Sequence, residues 1–115
     1  MPNFEVTTSN YETDQTQIVI YVTYAGTAGS RFDRDYYVKQ HLPLVLRAWK
    51  SYGLLGVAAF FPAREEDGTL AVCECRFKDE GAVERSLAAP ETASVMADLP
   101  NFTDLTANRA RMVAI

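Results

Sequence analysis

Between Phe32 and Gly53 the apolar residues recur at helical spacing. At about 100° per residue, Tyr37, Val38, His41, Leu44, Val45, Ala48, Trp49 and Tyr52 fall on one side. Lys39, Gln40, Arg47 and Lys50 fall on the other. Start signals precede the stretch. Asp33 can cap a helix that begins at Arg34, and Phe32 and Tyr37 have the spacing of a hydrophobic staple. Asp35 suits the positive end of the helix dipole. Gly53 supplies the stop, since glycine takes the left-handed conformation that closes helices. Pro43 points outward on the wheel, which frees the Lys39 carbonyl toward water and predicts a bend rather than a break. Such a helix presents His41 to the interior.

Other stretches alternate or run apolar in the manner of strands. Ile18 to Ala25 (IVIYVTYA), Leu54 to Phe61 (LLGVAAFF) and Leu70 to Phe77 (LAVCECRF) are rich in β-branched and aromatic residues. Asp67-Gly68 is a turn signal that joins the last two as a hairpin. Asp79 caps a second helix, in which Val83 and Leu87 lie four apart on one face. Pro90 opens a further short helical piece containing Val95, Met96 and Leu99, and Pro100 ends it. Leu105 to Val113 is the last strand, weakened by Arg109 and Arg111. The order β-α-β-β-α-β predicts an α+β, ferredoxin-like sandwich built on one antiparallel sheet. Residues 1–16 are polar and read as an arm, and 17–115 form the domain.

In LLGVAAFF both alternating sets of side chains are apolar or small, and Ile18/Ile20/Val22 and Val19/Tyr21/Thr23 behave similarly. A sheet with one wet face should alternate apolar and polar residues. Two helices cover one face, so the other face predicts a partner. A second copy of the sheet is the economical one, giving a homodimer.

Composition narrows the class. A chain of 115 residues is one domain, able to bury roughly two-thirds of its unfolded surface. Hydrophobic residues make up 48%, too many for a disordered chain. A net charge of -4 argues against nucleic-acid binding, which needs a basic face. The polar start does not read as a signal peptide, and no run approaches the roughly 20 apolar residues of a membrane span. A soluble, cytoplasmic protein without membrane contact is expected. Cys73 and Cys75, two apart in a strand, share one face with parallel side chains, which suits core packing better than a disulfide or a metal site.

His41 is the residue with an obvious chemical reading, a proton acceptor or donor near neutral pH. The alternative is a structural histidine held by a carbonyl or a tyrosine. Tyr37, one turn earlier on the same face, is a candidate donor or anchor for a ligand. Trp49, Tyr21, Tyr24 and Phe102 are candidate aromatic walls, although ordinary core packing accounts for such residues too. Asp98 can orient a substrate or His41, or cap a turn. Tyr36 points outward on the wheel and is left out of the site. Phosphate-binding glycine patterns, a nucleophile elbow and metal-ligand spacings are not found.

The pattern F-D-x-x-Y-Y-x-x-x-H-x-P-L, carried by Phe32, Asp33, Tyr36, Tyr37, His41, Pro43 and Leu44, resembles the EthD family, named after a protein of ethyl tert-butyl ether degradation. The block Asp98-Leu99-Pro100-Asn101-Phe102-Thr103-Asp104 resembles the D-x-P-N-F segment before that family's last strand. The similarity runs from about Ile18 to the C-terminus. It implies a dimeric α/β barrel, two ferredoxin-like sheets packed face to face, with the histidine facing the helix–sheet cleft. It also implies oxidoreductase, catabolic or polyketide-type chemistry on a hydrophobic, oxygenated small molecule. The barrel relatives include cofactor-free monooxygenases, isomerases and dehydratases. The expected enzyme uses His41 as acid/base, with Tyr37, Asp98, Trp49 and Phe102 around the substrate, no cofactor and no metal. The alternatives are a non-catalytic binding protein, or a haem protein with His41 as axial ligand.

Overall fold

The computed structural model describes residues 16–113. Four strands, β1 (Ile18–Gly26), β2 (Leu54–Phe60), β3 (Gly68–Phe77) and β4 (Ala107–Met112), form one sheet in the order β2-β3-β1-β4. Every neighbouring pair is antiparallel. The first helix, α1 (residues 34–49), connects β1 to β2, while α2 (Glu80–Ala88) and α3 (Thr92–Ala97) connect β3 to β4. This is the ferredoxin-like βαββαβ arrangement that the sequence predicts. The arm expected over residues 1–16 lies outside the described residues except for Thr16, whose hydroxyl donates to the Lys78 carbonyl.

The helix start follows its sequence signals. The Asp33 carboxylate accepts from the Tyr36 N–H at 3.0 Å, and the Phe32 and Tyr37 rings meet edge to face at 5.1 Å. The middle departs from the simple wheel. α1 runs as Arg34–Tyr36, a wider π turn over Tyr37–His41, and Leu42–Trp49, in which the Leu42 N–H bonds to the Tyr37 carbonyl five residues back. This widening falls directly before Pro43, which cannot donate a backbone hydrogen bond and whose ring crowds the preceding turn. The extra residue shifts the phase: Val38, expected inside, is 46% exposed, and Leu42 is buried in its place. A short 3₁₀ turn, Lys50–Tyr52, ends at Gly53 in the left-handed conformation (φ 116°). A Cβ there would also run into the Ala82 methyl group, so both backbone and packing require glycine.

Among the described residues, all the helices pack on one side of the sheet. Cross-strand register places Ile20, Val22 and Tyr24 of β1 beside Cys75, Cys73 and Ala71 of β3 on that covered side. Trp49, Val45 and Leu42 of α1, Val83 of α2 and Val95 of α3 complete the core. Leu87, four residues after Val83, is 40% exposed, and Met96 of α3 is 56% exposed. One smaller expectation changes. Pro100 does not end the helical run but sits inside a 3₁₀ turn, Leu99–Asn101. Among the described residues no helix is long and apolar enough to cross a membrane.

Candidate active site

The segment between α3 and β4 is fastened to the start of α1. The Asp33 N–H bonds to the Phe102 carbonyl at 2.8 Å, and the Thr103 hydroxyl donates to the Arg31 carbonyl at 2.7 Å. Arg31 grips Asp104 through two nitrogens at 3.2 and 2.7 Å and the Pro100 carbonyl at 2.7 Å. These bonds bring the carboxylate of Asp98 against the imidazole of His41, with Nδ1 and Oδ2 2.9 Å apart. The other carboxylate oxygen accepts from the Tyr36 hydroxyl at 2.6 Å and the Asn101 side-chain amide at 2.9 Å.

The charges in this cluster determine where the protons sit. Burial alone would raise the Asp98 carboxyl, but the bonds from Tyr36, Asn101 and His41 hold it below the usual carboxylate range. An ionised carboxylate only accepts, so Nδ1 of His41 carries the proton and Nε2 bears the lone pair. Burial lowers the proton affinity of the imidazole, against the opposing pull of Asp98. The ring is therefore neutral at neutral pH. It stacks on Tyr37 at 5.4 Å and rests against Phe102 at 4.6 Å. Nε2 has no hydrogen-bond partner among the described residues.

His41 lines a cavity of about 360 Å³ between α1, α3 and the sheet. Its walls are mainly apolar and include Val22, Leu42, Val45, Trp49, Val95 and Leu99, with Tyr24, Tyr37, Cys73 and Cys75 at its base. This is the size and character of a small-molecule site. Trp49 is held in place by its indole N–H, which donates to the Thr92 hydroxyl at 2.9 Å, and that hydroxyl donates to the Ser86 carbonyl. Burial, with Cys73 and Tyr24 beside it, pushes the Tyr37 phenol well above the ordinary tyrosine range. Burial likewise lifts Tyr24 to about 12.

No protein-family model matches the sequence, and no curated protein matches it. The fold does have counterparts among solved structures. An EthD-like protein from Ralstonia eutropha superimposes with a TM-score of 0.74 at 20% identity, over 84% of this chain and 90% of that one. The chain has the fold of the EthD-like proteins. An ethyl tert-butyl ether degradation (EthD) family protein from Bacillus halodurans gives 0.61 at 16% identity, over 84% of this chain and 99% of its own. The cofactor-independent oxygenase SnoaB from Streptomyces nogalater gives 0.59 at 14% identity, over 86% and 93%.

Within this EthD-like fold the sequence-derived candidates separate into groups. Tyr37, Trp49 and Tyr24 line the cavity with His41. Asp98 bonds to His41 but does not line the cavity, so its contact is with the base. Phe102 is fully buried behind the imidazole and backs the ring. Tyr21 is on the opposite sheet face, bonded to Glu74 at 3.0 Å, and is not part of the cavity wall. Tyr36 must be added to the site: the wheel that pointed it outward could not register the segment that folds back over it. Asn101 was also missed. Its signal was its spacing three residues after Asp98, across a proline-containing turn.

Cys73 and Cys75 are free and buried, with their sulfurs 3.8 Å apart. Among the described residues no cluster of three or more metal-ligating side chains is present. Replacing both cysteines by Val is expected to cost about 1 kcal/mol of stability in a urea melt, the usual scale for small core changes. Bound metal that tracks these two thiols would contradict that expectation.

Proposed function

We propose that this chain is a small enzyme that acts on a hydrophobic, oxygenated organic molecule in the cavity, with His41 as general base. The observation that carries this reading is the one-sided clamp on the imidazole. Asp98 occupies Nδ1, Nε2 is left with a lone pair, and the ring lines an apolar cavity. A base so placed can take a proton from an activated C–H or O–H, and Asp98 then faces the imidazolium that forms. Tyr37 keeps its proton at working pH, which suits a donor to a developing substrate oxyanion. Proton abstraction is the shared first step of cofactor-independent oxygenation, isomerisation and dehydration of such molecules. The fold similarity to SnoaB supports the oxygenase branch. Asp98 and Tyr36 act as positioning residues, and Trp49 as a wall.

The protein is further proposed to work as a homodimer. The sheet face that carries no helix among the described residues holds Phe60, Val72, Ala58, Gly56 and Met112, of which Phe60 is 54% and Met112 41% exposed. A second copy would cover this face.

The test is solvent deuterium exchange into a panel of enolisable aromatic ketones and unsaturated lactones, read by mass spectrometry. Exchange catalysed by the wild type and lost in a folded His41→Gln variant supports the base. Exchange absent with every compound, or undiminished in His41→Gln, overturns it. A free Nε2 backed by a carboxylate also suits an axial ligand to haem iron. A Soret band after haem reconstitution, lost in His41→Gln, would move the assignment there.

The pH dependence has a definite direction. The folded ring binds a proton less readily than an ordinary histidine of 6.5. Imidazole resonances of the sole histidine should therefore titrate with a midpoint below 6.5, and base activity should persist to that lower pH. As the unfolded chain takes up the proton first, His41's contribution to stability is complete above 6.5 and declines as pH falls toward the folded value. A midpoint at or above 6.5 would contradict the neutral, buried ring.

A further inference from the structure

Two arginines project from the helix-facing side of β4, and they differ in their partners. Register pairs Arg111 with Ile20 and Arg109 with Val22, both on the covered side of β1. Arg111 is fully engaged: two of its nitrogens bind the two oxygens of Glu80 on α2 at 2.6 and 2.8 Å. Arg109, one side-chain step along the same face, makes no hydrogen bond or ion pair among the described residues. The chain has 15 acidic residues against 11 basic ones, so an unused guanidinium is not a matter of scarce partners.

Arg109 lines the same cavity as His41. No Asp or Glu lines that cavity, and with His41 neutral Arg109 is the one ionised side chain on its wall among the described residues. A guanidinium offers several donors in a fixed plane that matches an anionic oxygen group. We infer that Arg109 makes the cavity selective for an organic anion: an apolar body seated against Val45, Trp49 and Val95, with its acidic group on Arg109. This inference rests on the cavity being the substrate site. It narrows the substrate to an amphipathic acid, held at one end by charge while His41 addresses a proton elsewhere on the molecule.

A matched pair of fluorescent probes tests it without knowledge of the substrate. Anilinonaphthalene sulfonate carries one negative charge, and phenylnaphthylamine has the same aromatic body without it. Both are titrated into the wild type, Arg109→Gln, Arg109→Lys and Arg76→Gln, the last on the opposite sheet face. The wild type should prefer the sulfonate. Arg109→Gln should weaken the sulfonate about ten- to a hundredfold, the range for hydrogen bonds to a charged group, and leave the uncharged probe unchanged. Arg109→Lys should retain part of the preference, and Arg76→Gln all of it. Equal affinity for the two probes in the wild type, or a preference that survives Arg109→Gln, overturns anion selectivity while leaving the cavity a binding site. Failure of both probes to bind would remove the cavity as a ligand site, and this inference with it.

Discussion

Asp98→Asn is expected to reduce turnover about 10²- to 10⁴-fold, the range for loss of a general base, while the fold survives. The size of the effect follows from where the new amide must point. One oxygen of Asp98 accepts two hydrogen bonds, from Tyr36 and Asn101, and the other accepts one from His41. Asparagine has a single acceptor oxygen, which the two donors on the first side will claim. Its NH₂ group then faces Nδ1 of His41, and an amide donor demands an acceptor there. The imidazole proton moves to Nε2, and the lone pair is turned away from the cavity. A near-isosteric change thus inverts the tautomer of the base. Nitrogen-detected NMR of the sole histidine reads this directly: Nδ1–H in the wild type, Nε2–H in Asp98→Asn. An unchanged tautomer, or wild-type deuterium exchange in the variant, would show that Asp98 does not set the base.

Phe60→Asp is expected to convert a homodimer into a monomer. Light scattering of the wild type at micromolar concentration should give about twice the 12.8 kDa chain mass. Phe60 is on the helix-free face beside Val72. A buried, unpaired carboxylate costs about 3–5 kcal/mol, and a two-fold interface carries the substitution twice. That is enough to dissociate a micromolar dimer. The next residue provides the contrast. Phe61 faces the helices, meeting Phe32 at 6.1 Å and Tyr37 at 6.3 Å, with the Arg34 guanidinium 4.8 Å from its ring. Phe61→Asp should therefore unfold the chain rather than split a dimer. A monomeric wild type, or a Phe60→Asp variant that stays dimeric, would leave that sheet face without a partner.

The strands, the capped helix and their order were legible because each rests on local chemistry: β-branched runs, Asp33 and Asp79 as caps, Gly53 as a stop. His41 could be found because a polar ring in the middle of an apolar stripe is anomalous. What the sequence hid depends on contacts between distant segments. Tyr36 was set aside because a helical wheel knows only its own helix, and the partner that uses its hydroxyl comes from the loop before β4. Val38 and Leu42 exchanged roles because a π turn breaks the 100° period, and Pro43 signalled a disturbance without saying how it would be absorbed. Arg109 looked like a defect in a strand. Its meaning appears only when Arg111 is seen to be occupied and Arg109 is not.

The bond that fixes the imidazole joins residues 57 positions apart. His41 arrives early in the chain on a helix that its own caps can start, but its proton is not directed until the segment before β4 has closed over it. Up to that point the ring can carry its proton on either nitrogen, and a half-folded chain holds a histidine without a defined base. The position of the proton is thus a product of completed topology rather than of the helix that bears the residue. Arg31 bound to Asp104, the Thr103 hydroxyl on the Arg31 carbonyl and the Asp33 N–H on the Phe102 carbonyl together hold that segment against the start of the helix.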